Sequence, residues 1–322
     1  MVPAELYNAY STALSENDRQ ARAALAAIMS QLDQDDVDGI RNALLQSYPA
    51  LVRLYGTRAA QVALEFYMGV REAQKVASPF YAYLPTDEFE EVDEAAVADV
   101  RREVGGLYAG QSTLDSFTST MQGLVTKRTM GMADSTLYAL AQADPAHPKA
   151  AFVAHLGACG WCILMSSRGF TNTEEAANNM RHENCKCTVV VDFDRNNPAL
   201  RGYDPGEHYA EYSRYANDPE FQKKVYDEWN AMSDEQRAKY VRRVRDRTGA
   251  VKEHPGDWST YVRNRTVQEM NVNLGHTQKT WVDRYGSPRG ASQQVTAGSA
   301  HAGTDPEMSK RADDILKALG IR

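Results

Sequence analysis

Cysteine is scarce in this chain and confined to one stretch: of 322 residues four are cysteine, at positions 159, 162, 185 and 187. Thiols spread along the chain, as in a disulfide-stapled extracellular domain, are absent. The usage fits a reducing cytoplasm, where clustered cysteines serve more often as metal ligands or redox groups than as structural disulfides. No apolar run approaches the length of about 18 residues that a membrane helix needs, so no membrane span is expected. The start, MVPAELYNAYSTALSEND, lacks both the basic head and the apolar core of a secretory leader. Positive charge is not in excess either. The net charge of -7 and pI near 5.6 argue against a protein whose main business is coating nucleic acid. Also missing are a Gly-x-Ser-x-Gly elbow, a convincing Ser/His pair and a glycine-rich nucleotide loop.

What is present is ordinary for a globular chain: 43% apolar and 25% charged residues. The length suits one large domain or two ordinary ones. Ala- and Leu-rich sequence without proline predicts a helix over 5–30. The acidic DQDDVDG is expected to cap the next helix, and Pro49 to start a new segment. YGTRAAQVALEFYMGVREAQK places Val62, Phe66, Gly69 and Val70 on one helical face, with Ala59, Ala63 and Tyr67 beside it. Residues 77–92 read as a connection. Helix resumes over DEAAVADVRREVGGLYAG and continues, with glycine interruptions, to the two prolines near 144–149.

The cysteine region has a different texture. AAFVAHLGACGWCILM reads as strand and turn, TNTEEAANNMRH as a short helix, and CKCTVVVDFD as a strand. Two thiols in C-x-x-C can face one tetrahedral ion, and a second pair in C-x-C can complete four ligands. The candidate ligands are Cys159, Cys162, Cys185 and Cys187, with His182 as an alternative fourth. The same residues also suit other readings: small buried side chains, a redox C-x-x-C, or a thiol nucleophile assisted by His182.

The run ACGWCILMSSRGF, then a short helix, then HENCKCTVVVDFD, resembles the C-terminal motif of MuF-like minor capsid proteins of tailed bacteriophages, of the type found in phages of actinobacteria. Cys159, Cys162, Arg168, Gly169, His182, Cys185 and Cys187 match that motif in kind and order. YGTRAAQVALEFYMGVREAQ is similar to a helical segment of the same family, and RGYDP also fits, so the resemblance spans about 50–205. It implies a protein carried in few copies inside the capsid and assembled in the host cytoplasm; with no protease signature and no nucleotide loop in the sequence, no catalytic role is expected. Contacts with the portal or major capsid protein, and a role in head assembly or DNA ejection, follow from the same resemblance. A structural zinc ion is inferred from the Cys/His pattern. The competing class is a Cys/His-dependent enzyme: a thiol hydrolase, nuclease-like or toxin activity.

Downstream, 195–209 reads as a loop, and Asp218-Pro219 and Ser233-Asp234 as helix starts. RAKYVRRVRDR offers Arg237, Lys239, Arg242, Arg243, Arg245 and Arg247 as contacts for the phosphates of packaged DNA, with Lys239, Arg242 and Arg243 sharing a helical face. The plainer reading is a solvated face. The expected class is mainly α with a small α+β cysteine-rich module. A helical region covers 1–145, the Cys/His module 146–205, and a second helical region with the basic patch 206–285. A flexible tail, 286–322, ends in a short amphipathic helix carrying Met308, Ala312, Ile315 and Leu319.

Overall fold

Sequence of high helical propensity, free of proline, makes Ala4–Ser30 one helix, α1. The computed structural model describes residues 1–84, 88–171, 181–245 and 251–276. Helix α2 spans Val37–Ala73, and Asp36 caps it as expected, its carboxylate accepting the Gly39 N–H at 2.8 Å. Pro49 does not begin a new segment: it lies inside α2. An interior proline costs ~3 kcal/mol. The neighbouring side chains offset it, since Tyr48, Leu51, Val52 and Tyr55 are all fully buried, and complete burial of such a group contributes about 1.5–3 kcal/mol. The buried stripe farther along α2 is Ala59, Ala63, Phe66, Tyr67 and Val70, while Val62 and Gly69 are only half-buried.

Helix α3, Glu88–Tyr108, begins inside the expected connection. Helix α4, Leu114–Ala143, starts at a Thr113 cap and runs unbroken through Gly123 and Gly131. Leu25, Ile28, Leu44, Leu51, Val100 and Leu124 belong to the core these four helices share. Gly56 permits close approach of α2 and α4, because a Cβ there would stand 2.0 Å from the Met132 sulfur. Near the other end of α1, Tyr10 stacks on Phe66 with ring centroids 4.3 Å apart.

Strands β1 (Lys149–Val153) and β2 (Thr188–Asp192) pair antiparallel, Ala151 opposite Val190. All five residues of β2 are buried, which explains its unbroken apolar run in place of an alternating one. An isolated parallel bridge ties Val2 to Leu200, with the Val2 N–H on the Ala199 carbonyl at 2.8 Å.

Within the described residues the chain forms two compact units, one holding Met1–Val153 with Phe170–Tyr203, the other Ala154–Gly169 with the described residues of 204–276. The second unit contains α5 (Gly160–Ser166), α6 (Pro205–Ala216), α7 (Pro219–Ala231), α8 (Asp234–Arg237), β3 (Arg242–Arg245), β4 (Val251–His254) and α9 (Trp258–Asn273). Asp218 caps α7 and Ser233 forms a capping box on α8, both as expected. Three expectations are corrected here. Residues 160–166 are helix, not strand and turn. The loop after Asp194 ends early, because Asp204 caps α6 and Pro205 occupies its first turn. The basic helix is a single turn, α8, followed by the antiparallel β3–β4 pair. The core of this unit centres on Phe221, Val225 and Tyr261, with Trp229 and Tyr240 packed against it.

The molecule is therefore mainly α with a small α+β element, and no described helix is long and apolar enough to cross a membrane. The short helix expected before His182 falls on 172–180, and the tail expectation on 286–322; both lie outside the described residues.

A buried ion pair braces the end of α4. Arg71 donates to Asp144 at 2.7 Å, and the Tyr67 hydroxyl donates to the same carboxylate at 2.9 Å. Burial opposes the Asp144 charge, but Arg71, the Ala146 N–H and Tyr67 together hold its pKa below the usual carboxylate range. A depressed folded pKa gives stability that is present above the unfolded value near 3.8 and is lost as pH falls through the folded pKa. Arg71→Met should therefore move the acid-unfolding midpoint to higher pH. The stability gap to wild type, large at neutral pH, should narrow in acid, as urea melts at several pH values will read.

Candidate metal centre

Each arm of the thiol cluster is seated by local chemistry. Cys159 is the N-cap residue of α5 and Cys162 lies in its first turn, so the C-x-x-C sits on a helix start. Gly160 between them is fixed by packing: a Cβ there would come within 2.7 Å of the Met270 Cβ and 3.0 Å of the Val267 carbonyl on α9. Its N–H donates to the Asn271 side-chain oxygen at 2.7 Å. Trp161 is buried, as expected of a core aromatic, with the Arg263 guanidinium 5.9 Å from its ring centre.

The other arm hangs on Arg181. This buried guanidinium forks onto Asp134 of α4 at 2.8 and 2.9 Å and donates to the carbonyls of Cys185 and Cys187, each at 2.8 Å. It thereby fixes the backbone that carries both sulfurs, which stand just before β2 and not within it. Burial pushes the Asp134 carboxyl up to about 6, against the pull of Arg181 and of the Val189 N–H. Burial likewise opposes the charge on Arg181, but Asp134 and the nearby Cys185 and Cys187 thiols raise its pKa above the ordinary value. Tyr7 reaches the same region, its hydroxyl 3.2 Å from that of Thr188.

The ligand atoms converge. One from each of Cys159, Cys162 and His182 lie within 4.8 Å of one another, and so do those of Cys162, Cys185 and Cys187. Cys162 is common to both groups. A tetrahedral ion with metal–sulfur bonds of about 2.3 Å holds its sulfurs roughly 3.8 Å apart. The four cysteines form no disulfide. Cys162, Cys185 and Cys187 are each 1% exposed and Cys159 7%. The His182 Nδ1 faces the Glu183 carbonyl at 2.6 Å. A carbonyl only accepts, so in a neutral ring Nδ1 carries the proton and Nε2 is the nitrogen that would bind an ion. Soft thiolates with one imidazole suit zinc, and the donor set fits it.

Sequence reasoning missed Arg181, Asp134, Asn271 and the packing role of Gly160. The available signal was Asp134 itself, a carboxylate among the buried Met130, Ala133 and Leu137 of α4.

The predicted phosphate-contact residues do not share one helix. Arg237 packs over Trp229, 5.6 Å from its ring centre, and donates to the Trp229 carbonyl at 3.1 Å. Arg242 pairs with Asp257 at 3.2 Å. Arg242 and Arg243 are adjacent strand residues, so the helical face proposed for them with Lys239 does not exist. Lys239 is exposed beyond α8, Arg245 ends β3, and Arg247 lies outside the described residues.

The chain belongs to the VG15 protein family, a phage-related family whose model matches residues 1–215. That match takes in the four helices, the β1–β2 pair and every candidate ligand. No curated protein and no solved structure matches the chain.

Proposed function

We propose that this protein is a minor capsid protein of MuF-like type, carried inside a phage head near the portal. There it aids head assembly or DNA ejection and has no catalytic role of its own. Its partners on this reading are the portal or the major capsid protein. Membership of a phage-related family supports the setting. The observation that carries the structural role is the enclosure of the thiols. A catalytic or redox cysteine needs an accessible thiolate, whereas three of these sulfurs belong to residues only 1% exposed. A zinc ion held by Cys162, Cys185 and Cys187, with Cys159 or His182 as the fourth ligand, would fix the backbone on which these residues stand.

The approach of His182 to Cys159 and Cys162 also keeps the enzyme reading in view. Two measurements separate the readings. Mass spectrometry of purified virions should find this chain at low copy number relative to the major capsid protein; its absence from virions would overturn the assignment. Iodoacetamide should label the native, metal-loaded protein slowly at neutral pH, whereas one thiol labelling within seconds would favour a nucleophile.

A further inference from the structure

A stretch of the first unit reads almost the same in both directions. Pro79-Phe80-Tyr81-Ala82-Tyr83-Leu84-Pro85 is symmetric about Ala82, with Leu84 in place of a second phenylalanine. Its start, just after α2, is moored from beneath. The Arg71 guanidinium donates to the Ser78 hydroxyl at 2.8 Å and to the Ser78 carbonyl. The Phe80 ring centre lies 5.4 Å from the same guanidinium and 6.0 Å from that of Tyr67. Exposure then alternates with the period of two of an extended strand: Phe80, Ala82 and Leu84 are half-buried, whereas Pro79, Tyr81 and Tyr83 face solvent. Tyr81 and Tyr83, 92% and 62% exposed, are the two most exposed aromatic side chains among the described residues. Among those residues the backbone of 79–84 makes no hydrogen bond. An extended segment with unpaired backbone groups and large rings turned outward is a template for another strand.

We propose that this strand pairs antiparallel with the same strand of a second copy of the chain, about a two-fold axis between the two Ala82 residues. The near-palindrome favours this partner over an unrelated strand. In a two-fold pair each residue meets its mirror position, so Tyr81 faces Tyr83 of the second copy and Phe80 faces Leu84 of the second copy. Aromatic cross-strand pairs then form on the outer face and apolar ones on the inner face, the pairings that stabilise a sheet. A slip of one residue would turn the tyrosines of the two copies to opposite faces. Pro79 and Pro85 stand at equal distances from the centre, and neither can donate to a ladder, so pairing is confined to 80–84. A contact this short is smaller than a standard interface, and the association is accordingly weak and concentration-dependent.

Sedimentation equilibrium of the full chain, from micromolar to near-millimolar concentration, tests this. The mean mass should rise from one chain toward two. Y81K/Y83K should stay at one chain throughout, as the substituted side chains point to solvent. A82P should do the same: it removes the central donor, which the single chain leaves unpaired, and proline favours extended backbone before it. Circular dichroism checks that each variant is folded. Cross-linking reads the register. Residue 82 meets its own copy with Cα atoms about 4.5–5.5 Å apart, within the reach of a disulfide. Residue 81 is displaced from its own copy by two positions, about 6.8 Å along the strand, which together with the strand separation exceeds the limit of about 7 Å. Under copper–phenanthroline oxidation A82C should therefore form a covalent dimer at least tenfold faster than Y81C, with wild type, whose cysteines are buried, as the baseline. A single-chain mass at every concentration overturns the proposal. So does a dimer that persists in both Y81K/Y83K and A82P, which would place the interface elsewhere. Cross-linking of A82C no faster than that of Y81C overturns it as well.

Discussion

Purified protein is expected to carry about one equivalent of zinc, and Cys162→Ser is expected to lose it together with the native fold of the thiol module. Cys162 is the member shared by the two ligand groups, so its removal depletes both. Structural zinc sites in small peptide modules contribute about 10–16 kcal/mol of apparent binding free energy at neutral pH. Elemental analysis reads the stoichiometry. Cobalt exchange reads the donor set through the intensity of its thiolate charge-transfer absorption. Comparison of Cys159→Ser with His182→Gln then identifies the fourth ligand, since the variant lacking it should bind metal at least tenfold more weakly. A chelator titration that removes no metal and leaves the melting curve unchanged would remove the structural role assigned to the cluster.

The second large effect is expected at the Arg181–Asp134 pair. Breaking a buried ion pair from one side costs about 3–5 kcal/mol, because the remaining charge is left in low dielectric. Arg181→Met should cost more than Asp134→Ala, since it also strips the carbonyls of Cys185 and Cys187 of their donor, and each unsatisfied buried carbonyl adds about 1–3 kcal/mol. The double variant Asp134→Leu/Arg181→Met should recover part of the loss, as apolar replacements of buried pairs often do. With its folded pKa pushed up to about 6 from an ordinary 3.8, Asp134 retains a proton in the folded state after the unfolded chain has released it. Its contribution therefore falls as pH rises from about 4 to 6 and is level above that. Asp134→Asn should flatten this slope in chemical denaturation. A double variant no more stable than Arg181→Met would show that the pair is not coupled.

The parts of this molecule that were legible in the sequence are those set by local chemistry. Asp36, Asp218 and Ser233 marked helix starts because a side-chain oxygen satisfying free N–H groups is a property of a few neighbouring residues. The thiol spacing pointed to one site for a similar reason: a C-x-x-C and a C-x-C each constrain their own sulfurs. What failed depended on distant partners. Pro49 looked like a boundary until the buried aromatic and aliphatic residues around it are counted. CGWCILMS is too short to show a helical period, and short apolar runs do not distinguish strand from helix. Arg242–Arg245 has no apolar alternation to mark it as a strand; its pairing comes from Val251–His254. Arg181 could not be matched to Asp134 because the two are far apart in sequence and meet only after α4 and β2 have packed.

The bridge between Val2 and Leu200 has a kinetic consequence. It joins residues nearly two hundred positions apart, and contacts of such separation form slowly because loop-closure entropy is lost before any stabilisation is gained. During synthesis, α1 to α4 emerge well before β2 and Leu200, so the nascent chain passes through a stage in which its helices are made but their clasp is not. A ribosome stalled before position 200 should hold a helical but protease-sensitive intermediate, and release of the full chain should end that vulnerability.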